Sequence, residues 1–202
     1  ETLASFAKKA VDESFNRISV DGDTSTSDTV FVSTTNKRDL SITKNEKSKA
    51  LDKFYTELQE GMVDLAKQIV MDGEGAKKFI DITVENSKSV QRAKKICFSI
   101  ANSLLVKTAI AGEDANWGRL IMAIGKTQLS LQTKKIKIYI QGFLLCENGR
   151  GIETVDEVAL SKSLKSKNIK ILVDLAEGDK MFTAWTSDLT EEYIKINADY
   201  RS

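Results

Sequence analysis

The sequence predicts an α/β domain in which helices layer onto a β-sheet, and three observations carry that expectation. Apolar residues recur at helical spacing over long stretches, the longest being Ser48–Val70. Apolar and polar residues alternate strand-fashion elsewhere, most clearly in Lys135–Ile140 (KIKIYI). The two patterns interleave with no internal repeat and no low-complexity linker. Residues 1–127 read as a helix-rich α/β part and residues 128–202 as a strand-rich C-terminal part.

Thr2–Arg17 is amphipathic, with Leu3, Phe6, Ala7, Ala10, Val11 and Ser14 on one face. The polar run Asp21–Asp28 ends that helix, because its Asp-Gly-Asp-Thr sequence bonds readily to its own backbone. Thr29–Thr34 is rich in β-formers and reads as a strand, and Asn36–Lys47 as an exposed loop. Ser48–Val70 then carries Leu51, Phe54, Tyr55, Leu58, Met62, Leu65, Ala66 and Ile69 on one helical face. It stops at Asp72-Gly73-Glu74-Gly75, where glycines break the helix. Lys78–Glu85 alternates as a strand, and Ser87 or Ser89 caps a helix striped by Val90, Ala93, Ile96, Cys97, Ile100 and Leu104.

Ser103–Lys126 is the organising stretch. Helix gives way to the polar turn Gly112–Asn116 and resumes at Trp117, so its simplest reading is a helix–turn–helix corner pinned by a buried Trp. After Lys135–Ile140, Gln141–Cys146 continues as a second strand, and Asp156–Leu164 is a short helix. Asn168–Leu175 and Lys180–Thr186 are strands joined through Glu177-Gly178-Asp179, which signals a hairpin. Thr190–Ile196 is a closing helix capped by Thr190, with Glu191 and Glu192 in its first turn.

Composition narrows the function. The 202 residues carry 30 basic and 29 acidic side chains, so neither a basic nucleic-acid stripe nor an acidic tail is present. The apolar runs are far shorter than a membrane span, and no charged-then-apolar leader is visible. Cys97 and Cys146 are too few for a disulfide framework or a zinc site, and a reduced, cytosolic setting is expected. With no histidine, proton transfer falls to carboxylates, lysines, hydroxyls or an amine. The chain also lacks proline, where average usage gives roughly ten. It opens on Glu1 rather than Met, as a processed or trimmed chain does.

Several residues have two readings. The Asp21–Asp28 turn is first a self-bonded structure and second a ligand site; its glycine and acids do not follow calcium-loop spacing. Glu74, between two glycines, is a solvated turn acid or a carboxylate on backbone that approaches a ligand closely. Lys107 lays its stem over apolar surface, or serves as an anion anchor or low-pKa base. Arg119 pairs internally with Glu113 or Asp114, or offers a fork to a carboxylate. Asn197 and Ser202 sit in a polar tail that frays by default.

Four segments, in order and nearly end to end, resemble the ornithine acetyltransferase (glutamate N-acetyltransferase) family. They are FNRISVDGDTSTSDT at Phe15–Thr29, DGEG at Asp72–Gly75, LVKTAIAGEDANWGR within Ser103–Lys126, and DLTEEYIKINADYRS at Asp188–Ser202. Ser27, Leu104 and Ala115 depart from the family's usual Asn, Pro and Pro. The resemblance implies an α/β/β/α sandwich to which this chain, as the second (β) chain, contributes a share. It implies substrate-binding roles for Glu74, Asn197 and Ser202, with Glu74 drawing the cationic amine of ornithine and the tail folding into the pocket.

The implied reaction moves acetyl from N-acetylornithine to a threonine, then to glutamate, in arginine biosynthesis. It needs no metal or nucleotide cofactor, and some family members also take acetyl from acetyl-CoA. The threonine is freed when the precursor cleaves itself, and its partner is the first (α) chain, in an assembly of two copies of each. Thr2 is not that nucleophile: Glu1 blocks its amine, and it lies too close to Phe15. The nucleophile is expected about fifteen residues upstream of Glu1. The competing readings are an autoprocessing amidohydrolase on a related scaffold and a non-catalytic amino-acid-binding module.

Overall fold

The computed structural model describes residues 2–35, 37 and 44–199. The elements are α1 (Thr2–Asp12), β1 (Ile18–Ser19), α2 (Lys44–Met71), β2 (Phe79–Ser87), α3 (Val90–Ala101), α4 (Leu104–Ala111) and α5 (Trp117–Gly125). They continue as β3 (Lys137–Ile140), β4 (Phe143–Glu147), β5 (Arg150–Gly151), α6 (Glu157–Leu164), β6 (Asn168–Asp174), β7 (Lys180–Ser187) and α7 (Glu191–Asp199). The mixed α/β class is as predicted. Two compact units are present, Glu1–Ile18 with Asp23–Gln68, and Ser19–Gly22 with Ile69–Ser202.

In the first unit, α1 is shorter than its apolar pattern: it stops at Asp12, and a 3-10 turn occupies Phe15–Arg17. The Phe6 ring lies 5.2 Å from that of Tyr55, and the Tyr55 hydroxyl donates to Glu13 Oε2 at 2.5 Å. Burial first, then the Glu13 carboxylate, push the Tyr55 phenol up to about 12. The expected strand at Thr29–Thr34 does not form. Val30 and Phe31 are exposed there, and strand propensity without a ladder to join is not enough. Most of the predicted loop at Asn36–Lys47 lies outside the described residues, and α2 already begins at Lys44.

The second unit is built on a seven-stranded sheet in the order β1-β7-β2-β6-β3-β4-β5. β2 runs parallel to β6 and antiparallel to β7. The hairpin expected between β6 and β7 is therefore wrong, because β2 lies between them. The connection instead crosses the end of β2, with Glu177 N and Gly178 N both donating to Asn86 O at 2.8 Å. A Cβ on Gly178 would meet Ser87 O at 2.5 Å, a backbone clash that a flexible side chain cannot relieve. Gly178→Ala is expected to cost about 1–3 kcal/mol, read as a lower denaturation midpoint by circular dichroism.

Alternation along β2 buries Ile80, Ile82 and Val84 in one cluster with Ile96, Cys97 and Ile100 of α3, Leu120 and Ile124 of α5, and Leu160 and Leu164 of α6. Asp81, Thr83 and Glu85 face the other way and are only half-buried. The Ser89 cap accepts from Arg92 N at 3.2 Å. The α3 stripe does not extend to Leu104: the helix ends at Ala101, and Leu104 starts α4 exposed to solvent. Asn102 and Ser103 reset the chain there. Gln141 and Gly142, both at positive φ, turn β3 into β4.

Candidate functional site

Three segments distant in sequence meet beside α7. The first is the turn after α2. The helix ends at Met71, and the turn closes through Gly73 N on Val70 O and Ala76 N on Gly73 O. Gly75 takes φ +68, and a Cβ on it would stand 2.5 Å from Tyr193 N and 2.9 Å from Glu192 C. Only glycine lets the first turn of α7 sit this close. The Thr190 hydroxyl donates to Gly75 O at 2.7 Å and ties α7 to the turn.

This docking brings two of the sequence-predicted site residues together. Asn197 Nδ2 donates to Glu74 Oε2 at 2.6 Å and to Tyr193 O at 3.0 Å. Glu74 and Asn197 are both exposed, so a carboxylate and an amide stand side by side at an accessible surface. Ser202 lies outside the described residues.

The second segment is Ser19–Gly22, where the Tyr193 hydroxyl donates to Asp21 Oδ2 at 3.0 Å. In the turn that follows, Ser27 N and Asp28 N donate to Ser25 Oγ at 3.2 and 3.3 Å, which is the self-bonded arrangement ranked first from sequence. The third is the link from β7 to α7. Asp188 accepts from Lys77 N and Lys78 N at 2.8 and 2.9 Å, pinning the start of β2 beside the Glu74 turn.

Lys107 corrects the sequence reading. Its stem does not lie on surface: the whole side chain is 1% exposed. Its ammonium donates to Val20 O and to Thr186 Oγ1, the latter at 2.9 Å. Burial lowers its pKa to about 8, with Asp188 and then Asp21 opposing that shift. The signal was present in its neighbours, since Val106 and Ile110 are apolar and Ser103 and Ala111 small, leaving Lys107 on an inward helical face.

Arg119 is internal as expected but has different partners. Its Nη1 donates to Leu105 O at 2.8 Å and Thr108 Oγ1 at 3.3 Å. Glu113 pairs instead with Lys78 at 3.1 Å, and Asp114 accepts from Asn116 Nδ2 at 3.0 Å. Asn116 caps α5 through Arg119 N at 3.1 Å. Trp117 is half-buried rather than buried, with its ring against Gly151. This motif is scaffold: it fixes the α4–α5 corner and, through Lys78, the C-terminal carbonyl of α6 at Leu164.

The family model described as "ArgJ family" matches residues 1–202. The chain is 45% identical over 202 residues to "Arginine biosynthesis bifunctional protein ArgJ" of Zymomonas mobilis, covering 100% of this chain and 49% of that protein. The protein of the same name from Brucella melitensis is 42% identical over 205 residues, with 100% and 50% covered. The chain thus spans about half the length of the curated relatives it matches. The crystal structure of arginine biosynthesis bifunctional protein argJ from Bacillus halodurans superimposes with TM-score 0.89 at 38% identity, covering 98% of this chain and 93% of that one. On sequence over its full length and on fold, this chain belongs to the ArgJ family.

Proposed function

We propose that this chain is the second, β, half of an enzyme that passes acetyl from N-acetylornithine to glutamate. The pairing of Glu74 with Asn197, 123 residues apart in sequence, carries the reading. The Glu74 carboxylate attracts the side-chain ammonium of N-acetylornithine, and the Asn197 amide donates to the substrate's carboxylate or acyl oxygen. Ser202 is the further donor that the family resemblance implies. Acidic residues on α7 and the adjoining turn favour a cationic ligand over an anionic one.

The first (α) chain is proposed to come from the same precursor, in an assembly of two copies of each. The B. halodurans chain supports this division, because it is matched over 93% of its length while the curated relatives are matched over about half. The half-buried face of Asp81, Thr83 and Glu85 is where a second sheet of an α/β/β/α sandwich would pack. The nucleophile is an N-terminal threonine upstream of Glu1. Its hydroxyl oxygen attacks the acetyl carbonyl, the C–N bond to ornithine breaks, and the amine leaves with a proton. The amine of glutamate then attacks the ester, and the threonine hydroxyl is restored. The relatives' printed name, "bifunctional", supports testing acetyl-CoA as a second donor.

The test incubates the full-length protein with N-acetylornithine and glutamate and follows products by mass spectrometry. N-acetylglutamate together with an acetylated N-terminal threonine is the expected result. Acetate formed without an amine acceptor would favour the amidohydrolase. Binding of N-acetylornithine with no turnover would favour the non-catalytic module.

A further inference from the structure

Among the described residues, Lys107 is the only charged side chain among the largest fully buried ones. An ammonium kept out of water must be hydrogen-bonded and counter-charged, so its partners show what it holds. One is Val20 O, in the segment Ser19–Gly22; another is Thr186 Oγ1 on β7. Asp21 follows Val20 directly and accepts from the Tyr193 hydroxyl. Tyr193 O in turn accepts from Asn197, one helical turn on, and Asn197 donates to Glu74. The backbone of Lys107 also reaches this helix's approach, its carbonyl accepting from Leu189 N at 3.4 Å. Asp188 supplies the opposing charge: it is 4% exposed, Oδ1 takes two backbone N–H groups, and Oδ2 is buried without a hydrogen-bond partner.

We propose that Lys107 is a positioning residue for the substrate site: its buried ammonium, balanced by Asp188, fixes Val20 and Asp21 so that Tyr193 and α7 hold Asn197 on Glu74. It touches no substrate. The kinetic consequence rests on the acetyl-transfer reading; the structural one does not. Free of this clamp, α7 keeps its helix but loses its registry against the Glu74 turn.

The test uses the full-length protein with Lys107→Met and, separately, Tyr193→Phe, which removes only the hydroxyl that reaches Asp21. Hydrogen exchange is expected to quicken about tenfold over residues 191–199 in Lys107→Met, while β2 and β6 keep their protection. Tyr193→Phe is expected to raise KM for N-acetylornithine about threefold with kcat nearly unchanged, and Lys107→Met about tenfold. Unchanged exchange in α7, or a KM unmoved in Tyr193→Phe, would overturn the proposal. Should Lys107→Met fail to fold, Tyr193→Phe decides by the same KM reading. Wild-type protein without acetyl transfer sinks the acetyl-transfer reading, and exchange over 191–199 still decides the clamp.

Discussion

Gly75→Ala is expected to lose the proposed substrate site while keeping the sheet. The added methyl would stand 2.5 Å from Tyr193 N and 2.9 Å from Glu192 C, both backbone atoms with no freedom to swing aside. The residue also sits at φ +68, where an L side chain costs about 1–2 kcal/mol. Crowding against packed backbone adds about 1–3 kcal/mol. The cheapest relief is for α7 to lift off the turn, which breaks the Thr190–Gly75 and Asn197–Glu74 hydrogen bonds together. In the full-length protein, kcat/KM for N-acetylornithine should fall about a hundredfold or more, because both proposed binding groups are displaced at once. Circular dichroism should still report the α/β fold. Wild-type kinetics in this variant would mean that the close approach of Gly75 to α7 is unimportant.

The second large effect is a pH dependence that belongs to Lys107. Burial holds its pKa at about 8 in the folded chain, against an ordinary lysine value of 10.5. Below pH 8 both folded and unfolded chains carry the charge, and the folded state bears the full cost of burying it. Between pH 8 and 10.5 the folded chain has shed the proton and the unfolded chain has not, so stability rises with pH. The neutral amine keeps two N–H groups for Val20 O and Thr186 Oγ1, and the gain across the window is about 3 kcal/mol. Other groups titrate there as well, so the quantity to measure is the difference between wild type and Lys107→Met in urea unfolding. That difference should move in favour of wild type as pH rises. Parallel curves would show that Lys107 is not a charged, buried lysine.

The sequence revealed local structure wherever one segment decides it. Ser89, one of the two cap candidates, caps its helix because it places a side-chain acceptor just before an apolar stripe. It misled where a partner decides. Thr29–Thr34 has the composition of a strand and no ladder to join, and β6 and β7 have a hairpin's connection but are separated by β2. In the proposed site, family resemblance singles out Glu74 and Asn197, yet nothing in either segment says that one bonds the other. The tie from Thr190 to Gly75 is likewise invisible in the sequence, because Gly75 lies far away in the chain. Lys107 reads first as a stem over apolar surface and Asp188 is given no role, because charged residues are mostly exposed; their burial follows from where β7, α4 and the Ser19–Gly22 segment converge.

The most direct measurement is the steady-state kinetics of Glu74→Gln in the full-length protein. Glutamine keeps the size and can still bond Asn197, but it removes the charge proposed to attract the substrate's ammonium. The KM for N-acetylornithine should rise about tenfold or more, with folding and chain cleavage unchanged. A KM equal to that of wild type would contradict the assignment of Glu74 and Asn197 as the substrate site.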